Sequence, residues 1–186
     1  MREGTGFLRI RTRLPLGWYR FAIVVVIVDQ LTKMWATAQL VYAEPMTLLP
    51  VFDFTLLHNT GAAFSFLHDE GGWQRWLFAG IAAVVGIGIA IWMARLRSAQ
   101  TLLLASLALV LGGAIGNLID RIRFGYVVDF VSVHWGPHYF PAFNFADSAI
   151  TVGAGLLLLD MFLNPQHHNE AKGKGVSGEK KREAAK

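Results

Sequence analysis

The sequence of 186 residues contains no cysteine, and only 16% of its residues are charged. The lack of cysteine excludes disulfide bonds, thiolate metal sites and a cysteine nucleophile. A soluble domain usually carries about 25% charged residues, so the low charge indicates a surface that faces lipid. The apolar fraction of 54% and the mean hydropathy of +0.42 agree with this interpretation. The sequence also shows no internal repeat and no glycine-rich phosphate loop.

Four stretches are long and apolar enough to cross a bilayer, which takes about 20 residues per helix. The first is the weakest, because Asp29 and Lys33 interrupt it. A cleaved signal peptide is the alternative for that stretch, but a charged pair is unusual there and three further spans follow. We therefore predict an all-α membrane protein with four transmembrane helices. The predicted spans are 18–40, 76–94, 101–119 and 145–163, within one domain that covers 1–165.

The basic residues predict the orientation of these spans. The net charge of +4 is compatible with nucleic-acid binding, but 13 of the 17 Lys and Arg residues lie in residues 1–20, between the second and third spans, or after the fourth. Cytoplasmic loops carry such an excess, so both termini are predicted to be cytoplasmic, and no nucleic-acid partner is expected. The tail, 166–186, is charged and poor in apolar residues, which predicts cytoplasmic disorder.

The two outer segments, 41–75 and 120–144, are more than linkers. Residues 46–57 mix β-branched and aromatic side chains with a proline, which predicts a small extracytoplasmic β-region. Arg121 and Arg123 contradict the charge bias on this side. Arg121 therefore has either a substrate-binding role or a pairing role with Asp120 or a lipid phosphate.

Four acidic residues are predicted to lie near the outer membrane surface, and they come from three separate parts of the chain. A charge at membrane depth costs a few kcal/mol, so it marks a candidate functional residue. An ion-coupled transporter would usually hold its site near the midplane and show repeats. A non-catalytic scaffold, with polar residues joining helices, does not explain the shared depth. The four residues are Asp29, Asp120, Asp129 and Asp147.

Asp129 and Asp147 are the natural catalytic pair, although spacing alone does not prove that they meet. Two close carboxyls share one proton, so one can accept a proton from water while the other protonates a carbonyl oxygen. Apolar neighbours such as those around Asp129 suggest an embedded loop. A metal site is disfavoured, because Gly136-Pro137 separates His134 from His138 and further ligands are missing. No metal and no cofactor is expected.

The chain resembles the lipoprotein signal peptidases (signal peptidase II), which are bacterial aspartyl proteases of the inner membrane. The resemblance covers nearly all of 18–163 and departs from the family at no motif position. The matching motifs are Asp29-Gln30-Leu31-Thr32-Lys33, Asn59-Thr60-Gly61-Ala62-Ala63-Phe64-Ser65, Gly112-Gly113-Ala114-Ile115-Gly116-Asn117-Leu118-Ile119-Asp120-Arg121, Val128-Asp129-Phe130 and Phe143-Asn144-Phe145-Ala146-Asp147-Ser148.

The resemblance implies that Asp129 and Asp147 form the catalytic dyad. It implies a diacylglyceryl prolipoprotein substrate, cut just before the lipidated cysteine, and inhibition by globomycin. It also implies a site toward the periplasm, a small extracytoplasmic sheet and contact with membrane lipids. A monomer is expected, because one four-helix unit contains all the motifs. The supporting or substrate-contacting positions would be Asp29, Asn59, Gly61, Asn117, Arg121 and Asn144.

Overall fold

The computed structural model of the protein describes residues 15–61 and 73–165, and the predicted tail lies outside them. Four helices in this part are long and apolar enough to cross a membrane. The segments between the first and second helices and between the third and fourth helices form a small antiparallel sheet. The predicted fold class is thus confirmed, whereas the single domain of 1–165 stays a prediction. In chain order the elements are α1 (Leu16–Gln39), β1 (Met46–Leu49), β2 (Phe52–Asn59), α2 (Trp73–Arg95), α3 (Thr101–Arg123), β3 (Val127–Trp135), β4 (His138–Tyr139) and α4 (Phe145–Leu163).

Helix α3 is the centre of the bundle, and it packs against the other three helices. It is also the most buried of the four helices. In its most apolar stretch 56% of the residues are buried, compared with 17–28% in the other three helices. Large apolar side chains such as Val84 and Phe162 point outward on the surrounding helices. A surface of this kind suits lipid rather than water.

Two glycines in the C-terminal half of α3 allow its neighbours to approach closely. A Cβ on Gly116 would collide with the Asp29 carboxylate of α1, and a Cβ on Gly113 would collide with the Ala146 carbonyl of α4. Small residues at such contacts let backbones approach closely. Both α1 and the beginning of α4 can therefore bring polar groups against α3.

The sheet has the strand order β1-β2-β3-β4, with antiparallel pairing throughout. It packs on the end of α1 through a cluster of buried apolar side chains that includes Leu56 and Phe130. In the register between β2 and β3, Leu57 lies opposite Asp129 and Asn59 opposite Val127. The sheet thereby fixes Asp129 beside the strand that ends at Asn59.

Two sequence-based expectations for the outer segments are wrong in detail. Asp129 lies in β3 rather than in an embedded loop, because its apolar neighbours pack against α1 and pair with β2. Helix α3 continues to Arg123, so Asp120 and Arg121 are helical. A run of apolar residues marks only the part of a helix that lies inside the hydrocarbon core. The helix itself, with its backbone hydrogen bonds, can continue beyond that run.

Candidate active site

Asp147 is held by the way that α4 begins. Asn144 is the N-cap of the helix, and its side-chain oxygen accepts from the Asp147 backbone N–H at 2.9 Å. In return the Asp147 carboxylate Oδ2 accepts from the Asn144 backbone N–H at 3.2 Å. This reciprocal capping box fixes the carboxylate in the first turn. The N-terminus of a helix also favours negative charge there.

Asp129 is buried in β3, with only 2% of its surface exposed. Each of its carboxylate oxygens accepts a hydrogen bond from an asparagine amide. Asn59 Nδ2 lies 2.9 Å from Oδ2, and Asn144 Nδ2 lies 2.7 Å from Oδ1. Gly61, with a φ of 89°, donates its backbone N–H to Asn59 Oδ1 at 2.8 Å. That bond directs the amide nitrogen of Asn59 toward Asp129.

The side chain of Asn144 connects the two aspartates. Its oxygen accepts from the backbone of Asp147, while its nitrogen donates to the carboxylate of Asp129. It is fully buried, with 0% of its surface exposed. A single amide thus contacts both residues of the predicted pair, which places β3 and the beginning of α4 side by side.

Asn117 supports the same pair from α3. Its Nδ2 donates to Asp147 Oδ1 at 2.8 Å, and its Oδ1 accepts from Asn144 Nδ2 at 3.2 Å. With the capping box, both carboxylate oxygens of Asp147 then receive an N–H donor. Asp147 is only half-buried, so water can reach it while the donors hold its orientation.

Arg121 lies one helical turn beyond Asn117 and is half-buried. Its guanidinium interacts electrostatically with Asp147, Asp129 and Asp120. It lies 5.6 Å from the centre of the Phe78 ring of α2, and its Nη1 lies 3.4 Å from the Asn117 carbonyl. Arg121 is therefore a cation within electrostatic range of both aspartates.

The environment of Asp129 makes its carboxyl unusually basic. Burial raises the pKa of Asp129 from 3.8 to about 6. The hydrogen bond from Asn59 lowers this pKa, the nearby charge of Asp147 raises it, and the bond from Asn144 lowers it again. Two carboxyls arranged in this way can divide the roles of acid and base near neutral pH.

Asp29 does not contact either aspartate of the pair. It is fully buried in α1 and forms an ion pair with Lys33, whose Nζ lies 2.9 Å from Asp29 Oδ2. Lys33 also contacts Asp120 and Asn117, each at 2.8 Å. From the sequence alone, Lys33 is recognisable only as an interruption of the first span. A signal for its role was present, because Asp29 and Lys33 are four residues apart, on one face of an apolar helix.

Among residues 15–61 and 73–165, no three His, Asp or Glu side chains are arranged to hold a metal ion. The groups that surround Asp129 and Asp147 are amides, backbone N–H groups and Arg121. Such groups hold carboxylates in fixed positions. They suit a reaction in which one carboxylate accepts a proton from water and the other carboxyl donates a proton to the substrate.

A family model described as signal peptidase (SPase) II matches residues 21–163. The chain belongs to the signal peptidase II family. Lipoprotein signal peptidases of Pseudomonas fluorescens and Acinetobacter baylyi are 56% and 53% identical to it, over 79% of this chain and 88% and 82% of theirs. The lipoprotein signal peptidase of Pseudomonas aeruginosa is 52% identical over 87% of this chain and 95% of its own.

Solved structures of bacterial membrane enzymes have the same architecture as this signal peptidase II chain. Two of them superpose with TM-scores of 0.69 and 0.71 at 27% identity, over 80% of this chain and 89% and 94% of theirs. The predicted family and the predicted class of enzyme, a protease, are confirmed by these comparisons. The four apolar helices fit a multi-pass membrane enzyme of bacteria.

Proposed function

We propose that the chain removes signal peptides from diacylglyceryl prolipoproteins, and that it cuts just before the lipidated cysteine. The observation that carries this proposal is the Asn144 side chain, which contacts both Asp129 and Asp147 at the outer end of the bundle. Relatives at 52–56% identity are named lipoprotein signal peptidases, which supports the same substrate class. A lipidated cysteine holds its scissile bond at headgroup level, next to this pair.

We propose that Asp129 carries the shared proton and that Asp147 is the base. Burial and the raised pKa of Asp129 support its role as the acid. Asp147 is more exposed to water, lies in the first turn of α4 and is close to Arg121, and all three features support its role as the base.

In the first step Asp147 accepts a proton from water as the water oxygen attacks the scissile carbonyl carbon. Asp129 gives its proton to the carbonyl oxygen, and a tetrahedral gem-diol forms. In the second step Asp147 passes its proton to the leaving nitrogen, the C–N bond breaks, and Asp129 recovers a proton from the gem-diol. Both carboxyls then return to their first state, so neither a covalent intermediate nor a metal or cofactor is required.

The other motif residues have supporting roles in this proposal. Asn59, Asn117 and Asn144 hold the carboxylates, and Gly61 orients Asn59. Arg121 binds a substrate carbonyl or stabilises the oxyanion, since it is within electrostatic range of both aspartates. Asp29 acts at a greater distance, through the beginning of α4.

We place the enzyme in the inner membrane with both termini in the cytoplasm and the site toward the periplasm. The charge bias of the loops supports this orientation. Lipid tails of the substrate dock beside the helices, in contact with membrane lipids, and no nucleic acid takes part. The enzyme works as a monomer, and globomycin-type cyclic peptides inhibit it.

The proposal is tested with Asp129→Asn and Asp147→Asn, which keep the size of each side chain. Each variant is expected to insert and fold but to lose turnover by about 10³-fold or more, because each removes a proton-transferring group. The assay is cleavage of a diacylglyceryl-modified precursor in detergent, with wild type in the presence of EDTA as the control. Retained turnover in either variant, or inhibition by EDTA, would overturn the mechanism.

A further inference from the structure

A buried ion cluster lies behind the two aspartates, and Lys33 is at its centre. The ammonium nitrogen lies 2.9 Å from Asp29 Oδ2, 2.8 Å from Asp120 Oδ2 and 2.8 Å from Asn117 Oδ1. At most 3% of the surface of Lys33, Asp29 or Asp120 is exposed. An ammonium has three N–H donors, so each donor of Lys33 has one acceptor.

Each carboxylate of this cluster also accepts a backbone N–H that directly precedes a dyad residue. The Ala146 N–H donates to Asp29 Oδ1 at 2.9 Å, and Ala146 precedes Asp147. The Val128 N–H donates to Asp120 Oδ2 at 3.2 Å, and Val128 precedes Asp129. The cluster is therefore bonded to both backbone segments that carry the dyad.

Lys33 also determines which way the side chain of Asn117 faces. An ammonium can only donate hydrogen bonds, so the Asn117 atom that faces it must be the amide oxygen. The Asn144 amide donates to the same oxygen. The amide nitrogen of Asn117 must then face Asp147, to which it donates at 2.8 Å. A reversed amide would place N–H groups against the ammonium and against Asn144.

We propose that Lys33 is a positioning residue for the hydrolysis. Through Asp29 and Asp120 it sets the spacing of the two catalytic aspartates. Through the Asn117 amide, which it directs toward Asp147, it also orients one of them. This inference rests on the proposed function of the two aspartates. Lys33 touches neither of them, and it acts through three side chains and two backbone N–H groups. A misplacement of about 1 Å in a reacting group can cost roughly 10²-fold in rate.

The competing explanation is that Lys33 only balances buried charge. Removal of Lys33 alone leaves two buried carboxylates without a cation, and such a change can prevent folding. The double variant Lys33→Met/Asp120→Asn avoids this difficulty. The wild-type cluster has two carboxylates and one ammonium, for a net charge of −1, and the double variant keeps one carboxylate and the same net charge. The amide oxygen introduced at position 120 can still accept from Val128.

The experiment compares the double variant with wild type, whose cluster has the same net charge of −1, and with Asp120→Asn alone, whose cluster is neutral, so that the effect of the second substitution is also measured separately. Folded protein is counted by size-exclusion chromatography in detergent, and kcat and KM are measured with the diacylglyceryl-modified precursor. We expect kcat per folded molecule to fall by about 10- to 100-fold relative to Asp120→Asn, with KM within about threefold. This division between kcat and KM is specific to positioning of the reacting groups.

A kcat within about threefold of Asp120→Asn would overturn the proposal, because charge balance would then explain Lys33. A rise in KM with unchanged kcat would also overturn it. Neither result affects the proposed function, which is tested separately by Asp129→Asn, by Asp147→Asn and by EDTA. The two ideas are therefore tested by different variants.

Discussion

The described residues include two clusters of buried or half-buried ionisable side chains, and the clusters differ in how completely they are hydrogen-bonded. The helix cluster, formed by Lys33, Asp29 and Asp120, gives every ammonium N–H an acceptor. The sheet pair, formed by Asp53 of β2 and His134 of β3, has one contact at 3.2 Å. Among the described residues, Asp53 Oδ1 and both His134 nitrogens have no partner with hydrogen-bond geometry.

The cluster with complete hydrogen bonding is the one that is linked to Asp129 and Asp147. A fully bonded polar network is rigid, whereas an incompletely bonded one leaves its side chains free to shift. The helix cluster bonds to the residues directly before Asp129 and Asp147. The sheet pair includes His134, further along β3 than Asp129, and contacts neither aspartate. Of these two clusters, the more completely bonded one is therefore the one beside the reacting groups, which must be held in place.

Among the variants that test this comparison, the largest effect is expected from Asn144→Ala, which removes the amide between the two aspartates. Asp129 would lose a donor at 2.7 Å, and α4 would lose its N-cap. Turnover of the diacylglyceryl-modified precursor is expected to fall by about 10²-fold or more. The loss of the cap is expected to cost about 1–2 kcal/mol of stability, which is measured as a lower Tm in detergent.

Ser148→Ala is the matched control for this variant. The Ser148 hydroxyl donates to the Asn144 backbone carbonyl at 3.0 Å, in the same turn of α4. Its removal is expected to change turnover by less than about threefold, because helical back-bonding of this kind contributes little. Equal losses in both variants would show that the turn, rather than the Asn144 amide, holds the dyad.

An intermediate effect is expected in the pH dependence of stability. The folded-state pKa of Asp129 is about 6, raised by burial from 3.8. A raised pKa means that the folded state binds the proton more tightly. The stabilisation is therefore complete below about pH 4 and is lost as the pH rises through about 6. Its full size is on the order of 3 kcal/mol, since one pKa unit corresponds to about 1.4 kcal/mol.

Asp129→Asn removes this titration while the rest of the site remains. The Tm of wild type minus the Tm of the variant is expected to fall by roughly 5–10 °C between pH 4 and pH 7. The measurement is a thermal unfolding series in detergent at constant ionic strength. A constant difference across this range would mean that Asp129 does not titrate there, and the assignment of the proton to Asp129 would lose its support.

Much of this architecture could be predicted from the sequence. Every helix that crosses the bilayer needs a similar number of apolar residues. Polar residues at the predicted outer ends of the apolar runs can therefore be assigned to the same depth from the sequence alone. Asp29, Asp120, Asp129 and Asp147 were grouped in this way. The structure brings Asp129 and Asp147 to one shared amide and Asp29 and Asp120 to one shared ammonium.

The remaining features depend on tertiary contacts, which no local pattern contains. Strand β3 is apolar on both sides of Asp129, and only its pairing with β2 and its packing on α1 distinguish a strand from an embedded loop. The direction of the Asn117 amide depends on Lys33, which is 84 residues away in sequence. Periodicity can identify a buried face, but it cannot identify which distant donor meets which acceptor.

The smallest effect on activity is expected from the sheet pair, and it would sharpen the contrast between the two clusters. Asp53→Asn/His134→Gln replaces both ionisable groups by neutral ones of similar size, which is often close to neutral for stability. The kcat is expected to stay within about twofold of wild type, since neither side chain reaches the dyad. His134→Ala alone should lower Tm more than the double variant, because it leaves the Asp53 carboxylate buried without its ion-pair contact to His134. If the double variant instead lost turnover as severely as Asn144→Ala, the sheet pair would also hold the reacting groups, and the two clusters would act as one.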